Sequence, residues 1–272
     1  MRLGVSTSFS FQSAEEWIAK QVELGCETVV FPLTCEAPES EIMAFAKVAK
    51  ERGISIAEVG IWRNPLSADP QEAKEMIEYS IGQLRMADMI GARCCVNVAG
   101  TPHGPRWDGG YKQNFDADTR KKIIQSIRTI VDEADPKNTK FTIEPMPWMV
   151  PTGPDDYLRL LEEVDRDGFA VHMDVINMVN SADRYFGLDE FLEEIFEKLG
   201  PQIRSCHLKD VVLLPDFTLQ LKECACGEGI LNIPKYVSLA DRYDVDMPMI
   251  IEHLADDDAY RSSFSYVKNL LA

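Results

Sequence analysis

The sequence predicts a single-domain α/β protein, a (β/α)8 barrel, and three observations carry that expectation. Eight short β-branched runs alternate with longer segments whose apolar residues recur at helical spacing. The alternation fills 272 residues without a linker, low-complexity tract or sustained repeat, close to the roughly 250 residues typical of such a barrel. No Gly-x-Gly-x-x-Gly follows the first run, where Ser6-Thr7-Ser8-Phe9-Ser10 stands instead, so an open doubly wound sheet is the weaker alternative. One domain is therefore expected over residues 1–272.

The expected strands are 3–7, 28–31, 54–59, 94–98, 140–144, 169–174, 203–207 and 249–252. The first helix opens at Ser13 with Glu16 three residues on, and the third at Asp69-Pro70 with Glu72, both shaped like capping boxes. Between them Ile42, Phe45, Ala46 and Ala49 repeat at helical spacing. Later stripes are Ile123, Ile124, Ile127, Ile130 and Val131, then Leu188, Phe191, Leu192, Ile195, Phe196 and Leu199, then Tyr260, Phe264, Val267, Leu270 and Leu271. Gly25, Gly53, Gly91 and Gly200 each follow a helical segment, at the C-terminal cap position. Two connections exceed the roughly 2–6 residues usual for βα loops. One spans 99–116; the other, 210–234, carries apolar runs at 211–214 and 217–221 that suit a small hairpin. Both follow strands, which places them on the C-terminal face where barrels of this kind assemble their sites.

Charge narrows the function classes. With 45 Asp+Glu against 28 Lys+Arg, the net charge of −17 disfavours a sequence-independent grip on nucleic-acid phosphates and an anionic membrane surface. No apolar run approaches the roughly 18 residues of a membrane helix, and the opening Met1-Arg2-Leu3-Gly4-Val5-Ser6-Thr7 turns polar too soon for a signal peptide. Seven cysteines without disulfide-scaffold spacing read as reduced thiols in a cytoplasmic protein, and Cys224-Ala225-Cys226 lacks the second pair a zinc site needs.

The chemistry gathers where strands end. The fifth expected strand ends at Glu144, the sixth at Asp174, the seventh at His207 and the eighth at Glu252. Three carboxylates and an imidazole on one rim are costly to bury without a cation, so the pattern points to a divalent metal. Three oxygen donors and one nitrogen favour Mn2+, with Mg2+, Co2+ or Zn2+ as alternatives. A cation that chelates a carbonyl and a neighbouring hydroxyl acidifies the adjacent C–H and stabilises an enediolate, while a carboxylate takes the proton and a second returns it. Glu144 and Glu252 are the expected acid/base pair, in an order the sequence leaves open.

These residues sit in Ile143-Glu144-Pro145, Met173-Asp174-Val175-Ile176-Asn177, Cys206-His207-Leu208-Lys209-Asp210, Gly227-Glu228-Gly229-Ile230-Leu231-Asn232 and Ile251-Glu252-His253. Together, over essentially the whole chain, they resemble the xylose isomerase-like TIM-barrel superfamily of sugar isomerases, epimerases, inosose dehydratase and related metal-dependent enzymes. The resemblance implies that Glu144, Asp174, His207 and Glu252 hold one divalent metal. It also implies proton transfer at a carbon beside a carbonyl or hydroxyl-bearing carbon of a sugar or sugar derivative.

The chain departs from the family in places. Asn177 stands where many members carry a histidine, no second acid follows Glu144 in Pro145-Met146-Pro147-Trp148-Met149-Val150, and no arginine follows Lys209 closely. Asn177 with Asn180, Arg184 and Tyr185 resembles metal-dependent lyase subunits that cleave 3-keto glycosides, so elimination or dehydration stands beside isomerisation. A DNA-repair endonuclease on this barrel would use more histidines than His103, His172, His207 and His253, and a barrel subunit without catalysis remains an alternative. A homo-oligomer or a partner subunit is left open.

The candidate substrate-binding residues are Asn177, Lys209, His103, Trp62 and Trp107. Lys209 shares the parity of His207, Trp62 follows the third strand near Glu58 and Arg63, and His103 and Trp107 lie in the long loop with Arg106 and Tyr111. His172 is expected to be a hydrogen-bonded core histidine one layer below Asp174. His253 is expected to be structural, and Glu228 to shape its turn.

Overall fold

The computed structural model describes residues 1–6 and 10–272. Its strands are β1 (Arg2–Val5), β2 (Thr28–Val30), β3 (Ser55–Gly60), β4 (Cys94–Asn97), β5 (Phe141–Ile143), β6 (Phe169–Met173), β7 (Ile203–Leu208), β8 (Asp210–Leu213), β9 (Leu221–Cys224) and β10 (Pro248–Ile251). Eight of them pair in the order β1-β10-β7-β6-β5-β4-β3-β2, every pairing parallel. Across the remaining seam the backbone N–H of Glu27 donates to the Leu3 carbonyl at 2.9 Å, so the sheet curls round into a (β/α)8 barrel. Thr7, expected at the end of the first strand, lies outside the described residues.

The helices are α1 (Ala14–Leu24), α2 (Glu39–Glu51), α3 (Pro70–Ile90), α4 (Ala117–Ala134), α5 (Pro154–Val164), α6 (Val175–Met178), α7 (Ala182–Phe186), α8 (Leu188–Leu199), α9 (Ile233–Asp241) and α10 (Asp257–Leu271). Each longer helix buries one stripe against the barrel, because residues three and four apart share a face. In α8 that stripe is Leu188, Phe191, Leu192, Ile195, Phe196 and Leu199; in α4 it includes Ile123, Ile127, Ile130 and Val131. Ser13 caps α1 by accepting the Glu16 N–H, and Asp69 caps α3 by accepting the Gln71 N–H, with Pro70 in the first turn where it loses no hydrogen bond. The box at Asp69 does not close: Glu72 accepts instead from the Ser67 hydroxyl at 2.5 Å.

Two further expectations change. Gly25, Gly53 and Gly91 have the left-handed backbone that glycine favours at helix ends, whereas Gly200 sits at φ −45° and leads into a short 3-10 turn before β7. A Cβ there would stand 2.3 Å from the Tyr243 ring, so close packing rather than backbone sign requires this glycine. The hairpin forms, with β8 and β9 antiparallel, yet its second strand begins at Leu221 instead of spanning 217–221. Phe217 and Leu219 lie exposed at its tip.

Tyr157 shows how α5 is fastened to the sheet. Its fully buried hydroxyl donates to the Ile143 carbonyl at 2.5 Å and lies 3.3 Å from the Ala170 carbonyl, at the end of β5 and near the start of β6. Tyr157→Phe removes the only donor and leaves both carbonyls one partner short. The expected loss is about 1–2 kcal/mol of stability, read as a lower denaturant midpoint with unchanged m value.

No described helix is long and apolar enough to cross a membrane.

Candidate metal centre and active-site cavity

Parallel strands deliver their last residues to one rim. Glu144 follows β5, and its N–H still donates to the Asn97 carbonyl at 2.8 Å, one rung beyond the strand. Asp174 follows β6 and caps α6: its Oδ1 accepts the Asn177 N–H at 3.0 Å, which leaves Oδ2 turned elsewhere. His207 lies in β7, and Glu252 follows β10. All four are buried, and one donor atom from each lies within 4.8 Å of the others.

The imidazole organises this cluster. His207 Nδ1 lies 3.0 Å from Glu252 Oε2, 3.4 Å from Glu144 Oε1 and 3.9 Å from Asp174 Oδ2. Its Nε2 faces Glu58 Oε1 at 3.3 Å, and the other Glu58 oxygen accepts from Ser205 Oγ at 3.3 Å. A carboxylate behind one ring nitrogen fixes the tautomer that leaves the opposite nitrogen free to ligate. Among the described residues Nδ1 has no hydrogen-bond partner, and neither has Asp174 Oδ2. Two buried polar atoms without partners, facing the same few ångströms as two further carboxylates, fit a divalent cation.

The electrostatics lead to the same conclusion. Burial pushes Glu144 up to about 7, against the pull of His207. Burial alone would lower His207, but Glu252, Glu144 and Glu58 hold it well above the ordinary imidazole range. For Asp174 burial works upward, and the Lys209 ammonium and His207 together more than offset it, keeping this carboxyl well below its usual range. Lys209 is itself 1% exposed and stands 2.7 Å from both Asp174 Oδ2 and Glu252 Oε1, with the Asp174 contact off hydrogen-bond angles. The four buried carboxylates, Glu58 included, thus face one lysine and one imidazole, a shortage of positive charge that a divalent ion would offset.

His172 lies beneath, 0% exposed, its ring edge-on to His207 with centroids 4.2 Å apart. The expected core position holds, but the expected hydrogen bond does not: among the described residues neither ring nitrogen has a partner, and Glu58 Oε2 is 3.5 Å from Nδ1. Burial and the neighbouring His207 pull its pKa down to about 4, so the ring stays neutral.

Above the cluster opens a cavity of about 460 Å3, lined at its floor by Glu58, Glu144, His207 and Glu252 and at its sides by Trp62, Trp107 and His253. A neighbouring cavity of about 620 Å3 shares Asp108, Met146 and His253 with it and adds Asn177, Asn180 and the hairpin residue Glu223. Trp62 takes a left-handed backbone, φ 51°, and folds its ring back over Gly60, where a Cβ would meet the indole nitrogen at 2.1 Å.

Of the expected substrate-binding residues, Trp62 and Trp107 line the first cavity and Asn177 the second. Asn177 also donates from Nδ2 to Glu144 Oε1 at 2.9 Å. Lys209 sits behind the carboxylates in ion pairs. His103 lines neither cavity, and its Nε2 lies 3.4 Å from Thr119 Oγ1. Arg184 and Tyr185 serve the scaffold: Arg184 donates to the Thr152 and Met178 carbonyls, and the Tyr185 hydroxyl accepts the Leu213 N–H. His253 departs from its structural expectation. It is half-exposed with φ 59°, and its Nδ1 lies 3.1 Å from both Glu223 oxygens.

Glu223 is a residue the sequence reading missed. It reaches back from β9 to Lys209 Nζ at 2.8 Å, tying the hairpin to the cluster. Its shared face with Leu221, two residues earlier on the strand, was the available signal. Asp210 was quoted only within a motif. Its carboxylate accepts from the N–H groups of Val211, Gly227, Gly229 and Leu231, so it gathers the turn that Glu228 was expected to shape.

Fold and site together define a (β/α)8 barrel with a buried carboxylate–imidazole cluster at its C-terminal mouth. The chain belongs to the xylose isomerase-like TIM barrel family, whose model matches residues 18–270. No curated protein shows a significant sequence match to it. Among solved structures it resembles a xylose isomerase-like TIM barrel protein from Mycobacterium smegmatis in complex with magnesium, at 18% identity and TM-score 0.70, over 96% of this chain and 89% of that one. It also resembles D-psicose 3-epimerase, solved in the presence of D-fructose, at 16% identity and TM-score 0.73, over 100% and 99%. A third is 3-keto-D-glucoside 4-epimerase from E. coli, at 16% identity and TM-score 0.69, over 99% of each chain.

Proposed function

We propose that this chain is a divalent-metal-dependent isomerase or epimerase of a sugar or sugar derivative, with Glu144 and Glu252 as its acid/base pair. The observation that carries the reading is the convergence of Glu144, Asp174, His207 and Glu252, two of their donor atoms without a hydrogen-bond partner among the described residues, beneath a cavity flanked by two indole rings. Glu144, Asp174, His207 and Glu252 would hold the cation, with Mn2+ favoured by three oxygen donors and one nitrogen. When bound, a divalent cation polarises a carbonyl and stabilises negative charge on its oxygen.

The protein's own groups then divide the remaining work. Glu144 and Glu252 both line the cavity, and either carboxylate can take a proton from a carbon placed between them while the other returns one. Asn177 orients Glu144 by its hydrogen bond to Oε1, leaving the second oxygen for proton transfer. Lys209 fixes Glu252 in the same way from behind. Trp62 and Trp107 offer apolar ring faces that suit the C–H face of a sugar. Charge selects against a phosphorylated substrate: among the described residues lining the two cavities the one arginine, Arg106, pairs with Asp108. A neutral sugar or sugar derivative fits this lining.

The test is turnover of a panel of ketoses and 3-keto glycosides in D2O with Mn2+, followed by mass spectrometry. Isomerisation gives a product of conserved composition carrying one solvent deuterium. Loss of water or of an aglycone instead assigns the site to the dehydratase or lyase alternative, which shares the first proton transfer. If no substrate exchanges a proton or changes mass, the enzymatic reading falls, and the barrel is a subunit without catalysis.

A further inference from the structure

The opposite mouth of the barrel carries the reverse charge. A cavity of about 310 Å3 opens there among the loops that precede β4, β5, β7 and β10, and Arg93, Lys140 and Arg204 all line it. The one carboxylate in its lining, Asp244, is paired with Arg93. Arg204 donates from Nη1 to the Pro201 and Ile203 carbonyls, and Lys140 Nζ donates to the Asp167 carbonyl. Among the described residues neither has a carboxylate within ion-pair distance, although the chain carries a net charge of −17. Arg204 is half-buried, and burial together with the like charge of Arg93 lowers its pKa from the ordinary value. Among the described residues Arg93 Nε, in the same lining, is buried without a partner.

Cations left uncompensated in a largely acidic protein are costly, because nothing repays their desolvation or mutual repulsion. A guanidinium presents a fixed fork of donors that matches phosphate oxygens, and a lysine adds a mobile point charge. Asp244 opposes any anion there, but its charge is answered by Arg93. The volume admits a phosphate group with a few attached carbons.

We propose that this N-terminal mouth is a binding site for a phosphate-bearing small anion, held by Arg204, Arg93 and Lys140 and separate from the carboxylate cluster at the other end. The site is independent of the reaction proposed above.

Calorimetric titration of the metal-loaded full chain with inorganic phosphate, at fixed ionic strength, tests it. A parallel titration with glycerol 1-phosphate shows whether the free ion or a phosphomonoester is the better ligand. Saturable binding is expected, weakened at least tenfold in Arg204→Ala, partly restored in Arg204→Lys, and unchanged in Glu144→Gln. Lys140→Ala, which removes a side chain whose one hydrogen bond among the described residues is to the Asp167 carbonyl, is expected to weaken binding about threefold to tenfold and serves if Arg204→Ala fails to fold. The proposal is overturned if chloride at equal ionic strength gives the same heats. It is equally overturned if binding survives both the Arg204 and Lys140 substitutions, or if Glu144→Gln alone removes it.

Discussion

Stripping divalent cations with a chelator is expected to abolish turnover and to lower the melting temperature by about 5–10 °C, and Mn2+ is expected to restore both. The stability arm follows from linkage. A cation that binds the folded chain at a hundred times its dissociation constant adds about 2.7 kcal/mol, and each kcal/mol moves the midpoint of a barrel this size by roughly 2–4 °C. The direction follows from the site. Glu144, Asp174, Glu252 and Glu58 are buried within reach of one imidazole and one ammonium, so the chain without the ion carries unbalanced negative charge. Restoration by Mg2+, Co2+ or Zn2+ in place of Mn2+ would reassign the metal while leaving its ligands. Unchanged activity and melting temperature in protein shown by elemental analysis to be metal-free would remove the metal from the function altogether.

Glu144→Gln is expected to reduce kcat by about a thousandfold or more while the barrel stays folded. General acid–base groups typically contribute a factor of about 10²–10⁴, and this residue is also placed to hold the cation. Glutamine keeps the side-chain volume, so the packing around Met146 and Asn177 persists. Its amide cannot both accept from Asn177 Nδ2 and supply a base. Stability should change sign with the ion. In metal-free protein the substitution removes one of several crowded buried carboxylates and is expected to stabilise by on the order of 1 kcal/mol. In the metal-loaded protein it removes a ligand and is expected to destabilise. Paired melting curves with and without Mn2+ check the crossover. Loss of kcat with no change in the metal's stabilising effect would leave Glu144 as a base outside the ligand set.

The arrangement also explains why Lys209 cannot be treated as a free substrate cation. Its ammonium stands 2.7–2.8 Å from Asp174, Glu252 and Glu223, so its charge is already balanced by three carboxylates. Parity along β7 correctly turned Lys209 toward the same side as His207. Parity could not say how far the side chain reaches or what it finds there. His253 is the converse case. Its parity opposite to Glu252 suggested a structural residue, yet a left-handed backbone at φ 59° swings it toward Glu223 and into both cavity walls.

The strand ends and helix stripes were readable because each is written by neighbours in the chain. β-branched runs, the 3.6-residue apolar period and caps at Ser13 and Asp69 place Glu144, Asp174, His207 and Glu252 one after another at strand ends. In a parallel barrel strand ends share a rim, so the residues expected to gather there were identifiable before any coordinates. Tertiary structure alone decided which atoms meet. Glu58 backs His207 from 149 positions away, Glu223 folds in from a hairpin whose second strand the sequence placed too early, and Asp210 collects the N–H groups of a turn up to 21 positions further on. These pairings depend on the curvature of the closed sheet and the course of its loops. Local periodicity fixes the face a side chain occupies, while its distance from a remote partner is set only when the barrel closes.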